Sequence, residues 1–126
     1  MNLENILITG SSGLVGAPLV TKLLNKSNLI VGIDPVINSE CNENYKHISI
    51  PLNSVEDVTN LLEKYDITKI IHTGGISGPM LANENPNIII ENNIFFTMYL
   101  IEAARICKKI NRFILCSSIS AYGELA

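Results

Sequence analysis

The sequence predicts an α/β fold: an open parallel sheet of about five strands with helices on both faces. Three observations carry this prediction. Four short runs are continuously apolar and rich in Ile, Leu and Val, without polar alternation: NILIT at 5–9, LIVGI at 29–33, KIIHT at 69–73 and RFILCS at 112–117. Strands buried on both faces of a parallel sheet read this way. Helical patterns separate the runs, and alternation of strand and helix from end to end is the sequence form of βαβ units. The 126 residues are 47% apolar, enough for one modest domain with a core of its own.

Each element follows in chain order. After the first strand, Leu14 to Lys26 places Val15, Leu19, Leu23 and Leu24 on one side of a helix. Pro18 is awkward there, because past the first turn a proline removes a backbone donor. The stretch PVINSECNENYK after the second strand, residues 35–46, is polar and rich in Asn, hence a surface loop. HISI at 47–50 is a weaker fifth strand for a sheet edge. Ser54 to Tyr65 opens with SVED, a capping box with Ser54 as cap and Asp57 at the third position. Asn85-Pro86 reads as a cap with proline at the first helical position, starting a helix over about 86–109. That helix is apolar nearly all round, from Ile88 to Cys107, so burial on two sides is expected. One side covers the sheet. The other needs a second helix, from this chain or from another copy, and a homo-oligomer through 86–109 is expected.

Composition narrows the function classes. Nine basic against twelve acidic residues give a net charge of −3, which offers no footprint for nucleic acid or anionic lipid. The one basic cluster, Arg105, Lys108, Lys109 and Arg112, suits a solvated helix end. Cys41, Cys107 and Cys116 are odd in number and widely spaced, so neither a disulfide framework nor a metal site is expected. Cys107 and Cys116 lie in apolar runs and read as inert core thiols. The opening residues carry no basic region or cleavage site, and no apolar run reaches membrane-spanning length. A cytoplasmic protein is expected.

Gly10, Gly13 and Gly16 follow a strand and open a helix. The first glycine permits a tight turn, the second a close backbone approach to a pyrophosphate, the third close helix–strand packing. The helix N-terminus then offers free N–H groups to the phosphates. Asp34 ends the second strand, 18 residues after Gly16 (34 − 16). An acid at that place accepts hydrogen bonds from the ribose hydroxyls of an adenosine half and repels a 2′-phosphate, which favours NAD over NADP. As a mere turn residue before Pro35, Asp34 would carry no such role. A nucleoside-triphosphate loop is excluded, because Gly16 is followed by Ala-Pro instead of Lys-Ser/Thr.

The chain resembles the extended short-chain dehydrogenase/reductases, the NAD-dependent epimerase/dehydratase family acting mostly on nucleotide sugars. TGSSGLVG at 9–16 resembles its TGxxGxxG loop, KIIHTGGISGP at 69–79 its fourth strand and HxAA segment, ENNIFFTMYLIEAAR at 91–105 its NNxxGTxNLLEAAR helix, and RFILCSSISAYG at 112–123 its FxxxSSxxxYG segment. The resemblance implies a Rossmann-like sheet, incomplete at its C-terminal side. It implies that Gly10, Gly13 and Gly16, with the N–H groups of Leu14 and Val15, hold a pyrophosphate and that Asp34 binds the ribose. Thr73, Gly74 and Gly75 would run beneath the cofactor, with Asn93 near it. Cys116 and Ser117 would sit beside the nicotinamide ribose, and Ser118 would be the catalytic serine. Leu52 would pack against adenine, although Pro51 stands where the family has an aspartate. His72 has no catalytic counterpart and reads as a satisfied strand-end histidine.

The family's acid/base pair is a tyrosine and a lysine spaced YxxxK on the helix after the last strand here. Tyr122 belongs to the YG segment, and four residues on stands Ala126. The chain is read as lacking the pair, and therefore as the N-terminal, NAD-binding part of such an enzyme, inactive by itself and without the substrate domain. Two alternatives stand beside this reading: a non-catalytic dinucleotide-binding module, and an interaction remnant that binds nothing.

Overall fold

A computed structural model describes residues 4–38, 42–77 and 85–124. Cys41, Gly78 and Pro79 lie outside the described residues. The chain forms a five-stranded, all-parallel sheet of order β3-β2-β1-β4-β5, with β1 at Asn5–Thr9, β2 at Leu29–Ile33, β3 at Tyr45–Ile48, β4 at Lys69–His72 and β5 at Arg112–Leu115. The expected Rossmann-like sheet is present. The third strand starts two residues before the sequence placed it, and the last ends two residues earlier.

Helices cover both faces. Period-two alternation sends Leu7 of β1 to one face and Ile6 and Ile8 to the other. On the Leu7 face, Val31, Ile33 and Ile70 meet Val58, Leu61 and Leu62 of α2 (Val55–Lys64) and Leu100 and Ala103 of α4 (Phe96–Ile106). On the opposite face, Ile30 and Tyr45 pack with Val20 and Leu24 of α1 (Gly16–Leu23) and the 3₁₀ turn Leu24–Lys26 that continues it. Because α1 starts at Gly16 and not at Leu14, Pro18 falls in its first turn, where no N–H is needed.

The Ser54 cap of α2 forms, but the reciprocal half of the box shifts by one residue. Ser54 Oγ accepts the Asp57 N–H at 3.0 Å, while the Asp57 carboxylate turns to the Asn53 N–H at 3.0 Å. At the other end Asp66 takes a left-handed conformation with φ +50°. The Asp66 N–H reaches Glu63 O and the Ile67 N–H reaches Leu62 O, a Schellman closure that buries Ile67.

The helix expected over 86–109 differs most. It comprises α3 (Asn87–Ile89), a π segment (Ile90–Phe95) and α4, and it ends at Ile106. The Phe96 N–H donates to Glu91 O, five residues back. No side chain caps its start, so the expected Asn85 cap is replaced by the backbone bond from Ile88 N–H to Asn85 O. Burial on two sides is not observed among the described residues. Ile90, Ile94, Phe95, Met98, Ile101 and Ile106 are between 41% and 56% exposed, because only the Leu100–Ala103 side meets the sheet and α2.

Candidate functional site

A cleft of about 1000 Å3 opens at the C-terminal ends of β1, β2 and β4. β1 lies at the centre of the sheet, between β2 and β4, so the chain reverses its direction of travel across the sheet here. Open α/β sheets bind ligands at such a switch point. Gly10 and the run Gly13, Leu14, Val15 and Gly16 form one wall, and Ile33, Asp34 and Pro35 continue it. Pro51, Leu52 and Asn53 close one end. Residues Thr73 to Ser77 and the side chains of Glu91, Asn92, Phe95, Phe96 and Tyr99 complete the lining.

The three glycines occupy three different surroundings in the loop. Gly10 turns the chain with φ +66°, and its N–H donates to Ile33 O at 2.8 Å. A Cβ on Gly16 would stand 2.0 Å from Gly10 O, so any side chain there would push α1 off the loop. Gly13 is exposed on the cleft, and a Cβ there would meet only Gly10 O, at 3.2 Å. The first turn of α1 carries neither a side-chain cap nor an acid. The Ala17 N–H already donates to Gly13 O at 3.0 Å and the Leu19 N–H to Val15 O at 3.4 Å, and Pro18 has none. The Leu14, Val15 and Gly16 N–H groups and the positive end of the dipole are what the helix start offers an anion at the cleft wall. The residues present therefore fit a pyrophosphate.

Asp34 is held in place by backbone. Its Oδ2 accepts the Ser12 N–H at 3.1 Å and its Oδ1 the Val36 N–H at 2.9 Å. Each oxygen keeps a further acceptor site. Ser12 Oγ donates to Val36 O at 2.6 Å, and Asn38 Nδ2 to Ser11 O at 3.1 Å, lacing the loop after β2 to the glycine loop. Behind them His47 Nε2 donates to the Asp34 carbonyl at 3.0 Å, and the buried Tyr45 hydroxyl bonds Ser11 Oγ at 3.3 Å and His47 Nδ1 at 3.0 Å. The sequence reading missed Tyr45 and His47. Their signal was the polar alternation at the start of β3.

Leu52, Thr73, Gly74 and Gly75 line the cleft as expected, whereas Asn93, Cys116, Ser117 and Ser118 do not. Asn93 commits its side chain to Ile76: Oδ1 accepts the Ile76 N–H at 2.7 Å, and Nδ2 donates to Ile76 O at 2.9 Å. Cys107 is buried, but Cys116 is an exposed thiol, which corrects its reading as a core residue. β5 is a sheet edge, and its apolar Ile114 and Leu115 are exposed as well. Ser117 is exposed, and Ser118 is an exposed cap whose Oγ accepts the Ser120 N–H at 3.2 Å. Glu91, Asn92, Phe95, Phe96 and Tyr99 are cleft residues that sequence reasoning missed, because the resemblance singles out only Asn93 of that helix.

The reading that no YxxxK pair exists also needs correcting. Tyr65-Asp66-Ile67-Thr68-Lys69 has the spacing. It lies where α2 ends and β4 begins, at the N-terminal ends of the strands, away from the cleft at their C-terminal ends. The Tyr65 carbonyl takes the Asn5 side chain at 2.8 Å, its ring lies under Lys64 Nζ, and Lys69 pairs with Glu4 at 3.3 Å. Neither residue lines the cleft, so the spacing occurs without the geometry.

His72 is a satisfied strand-end histidine, 2% exposed. Its Nδ1 meets Thr9 Oγ1 at 2.5 Å and its Nε2 meets Thr97 Oγ1 at 2.8 Å, with Phe96 edge-on to the ring. Burial pushes its pKa below the ordinary histidine value. The unfolded chain therefore binds the extra proton first. The contribution to stability is full above the ordinary value near 6.5 and is lost as pH falls toward the lowered folded value. Melting temperature should drop more steeply below that pH in the wild type than in His72→Gln. Parallel pH profiles would contradict this.

Among the described residues no three His, Cys, Asp or Glu side chains gather to hold a metal, and no helix is long and apolar enough to cross a membrane. Comparison with known proteins agrees with the geometry. The chain is 32% identical to an uncharacterized protein of Methanocaldococcus jannaschii, covering 98% of this chain and 42% of that one. It is 28% identical to a UDP-glucose 4-epimerase of Pisum sativum, covering 96% of this chain and 38% of the relative. The crystal structure of a glucuronic acid dehydrogenase from Chromohalobacter salexigens superposes with a TM-score of 0.77 at 28% identity, over 93% of this chain and 41% of that one. The chain thus spans about two fifths of the length of these three proteins. The family model for NAD dependent epimerases and dehydratases matches residues 6–126, nearly the whole length. With its glycine loop, braced acid and cleft at the switch point, the chain belongs to the NAD dependent epimerase/dehydratase family.

Proposed function

We propose that this chain is the NAD-holding part of an enzyme that acts by hydride transfer on a nucleotide-sugar-like substrate, as an epimerase, dehydratase or dehydrogenase. The observation that carries the proposal is the meeting, in one cleft, of an anion-ready helix start, a backbone-braced carboxylate and the apolar Leu52.

Gly10, Gly13 and Gly16 give the pyrophosphate room, and the N–H groups of Leu14, Val15 and Gly16 hold it. Asp34 accepts from both hydroxyls of the adenosine ribose. Its negative charge opposes a 2′-phosphate, which selects NAD over NADP. Leu52 and Ile33 pack on the adenine, beside Pro51. Thr73, Gly74 and Gly75 form the surface beneath the dinucleotide. Asn93 serves that surface through Ile76. Cys116 and Ser117 belong to the nicotinamide end, where Ser118 orients a substrate hydroxyl or carbonyl and opposes its developing charge. Bound NAD supplies the hydride acceptor. The acid/base pair that the family resemblance implies is not found at the cleft. In the same proposal the exposed flank of Ile94, Met98 and Ile101 is where a second copy docks.

An amide NMR titration maps the site directly. Adding NAD should shift the Gly13, Leu14, Gly16, Asp34 and Gly75 resonances and leave Tyr65 and Lys69 in place. Shifts confined to other surfaces would overturn the assignment.

A further inference from the structure

Three side chains behind the cleft form a one-way run of hydrogen bonds, and a fourth, that of Asn93, extends it to a circuit. Thr97 Oγ1 donates to the Asn93 carbonyl at 2.8 Å, and a carbonyl only accepts. Thr97 Oγ1 is therefore the acceptor toward His72, so His72 carries its proton on Nε2. Nδ1 is then the acceptor, and the Thr9 hydroxyl donates to it. Thr9 Oγ1 in turn accepts the Gly74 N–H at 3.0 Å. The direction runs from the Gly74 N–H through Thr9, His72 and Thr97 and ends on the Asn93 carbonyl. The side chain of the same Asn93, accepting the Ile76 N–H and donating to Ile76 O, joins that end to the cleft stretch and completes the circuit.

Gly74 and Ile76 are the two ends of a three-residue stretch that lines the cleft. The stretch lies against both grips. A Cβ on Gly74 would stand 2.9 Å from Thr9 Oγ1, and one on Gly75 would stand 3.1 Å from Asn93 Oδ1.

We infer that His72 is the positioning residue of the Gly74–Ile76 surface: as its neutral Nε2–H tautomer it couples the Thr9 grip on Gly74 to the Thr97–Asn93 grip on Ile76. The consequence for cofactor affinity rests on the dinucleotide reading above; the coupling itself does not. Histidine suits this place because its two ring nitrogens, one donor and one acceptor, point in different directions from a rigid plane. Asn and Gln carry donor and acceptor on one terminal amide and span only one of the two threonines. The circuit also crosses the π segment, where the ladder has shifted to five-residue spacing. Such segments concentrate at functional sites.

Long-range proton–nitrogen NMR of His72 tests the coupling in the wild-type chain. A single neutral form protonated on Nε2 is expected, with slow amide exchange at Gly74 and Ile76. Thr97→Val keeps the shape and removes the acceptor. It should abolish the tautomer preference, speed exchange at both amides and weaken NAD binding about tenfold. Thr97→Ser should restore all three. A wild-type His72 protonated on Nδ1, or Gly74 and Ile76 amides that exchange freely, would overturn the inference, and both are read without any variant. Unchanged exchange and affinity in folded Thr97→Val would overturn it too. A wild type that shows the tautomer and the protection but binds no NAD supports the coupling and removes the dinucleotide reading.

Discussion

Replacing Gly10 with alanine is expected to lower the free energy of unfolding by about 3 kcal/mol or more. The backbone there sits at φ +66°, a conformation that costs an L side chain roughly 1–2 kcal/mol. The added Cβ would also stand 2.7 Å from Gly74 Cα and 2.8 Å from Gly74 N. Both are backbone atoms of the stretch that leaves β4, so no flexible side chain can move aside. Urea unfolding should show a lower midpoint with an unchanged slope. Gly13→Ala is the contrast. Its nearest neighbour is Gly10 O at 3.2 Å, so stability should change by less than about 1 kcal/mol, while the side chain fills space on the cleft wall. Alanine at Gly10 without a stability loss would show that the loop does not hold the conformation described.

Asp34→Ala is expected to weaken NAD binding about a hundredfold and to reverse the preference over NADP. The carboxylate is oriented by the Ser12 and Val36 N–H groups and keeps one acceptor site per oxygen for a ribose hydroxyl. Hydrogen bonds to a charged group contribute about 1.5–3 kcal/mol each, so losing two at the lower end of that range, about 3 kcal/mol, gives the hundredfold. Removing the charge also removes its repulsion of a 2′-phosphate and frees the same two N–H groups for an anion. Calorimetric titration of wild type and variant with both cofactors measures this. A ratio of NAD to NADP affinity unchanged by the substitution would remove Asp34 from the site.

The parts of the fold legible in the sequence are those written locally. β1, β2 and β4 are continuous apolar runs because both faces of the sheet are covered, and SVED announces the α2 cap because the bond spans three residues. The glycine loop and Asp34 lie at fixed distances along one βαβ unit. What was misread depends on tertiary partners. β3 begins at Tyr45 because the Tyr45 hydroxyl reaches Ser11 past Gly32, where a Cβ would stand 2.2 Å from it. The π segment is a hydrogen-bond offset that composition does not encode. Glu91, Asn92 and Phe95 reach the cleft only through the packing of that helix, and Cys116 is exposed because β5 is an edge. Tyr65 and Lys69 give the converse lesson: a spacing without its helix or its cleft has no catalytic meaning.

The central claim is that this cleft holds NAD. Calorimetric titration of NAD into the wild-type chain tests it most directly. Saturable binding of one NAD per chain, weaker for NADP and lost in Asp34→Ala, is the predicted result. A folded chain that takes up no heat-detectable NAD at millimolar cofactor, or that binds NADP more tightly, would contradict it.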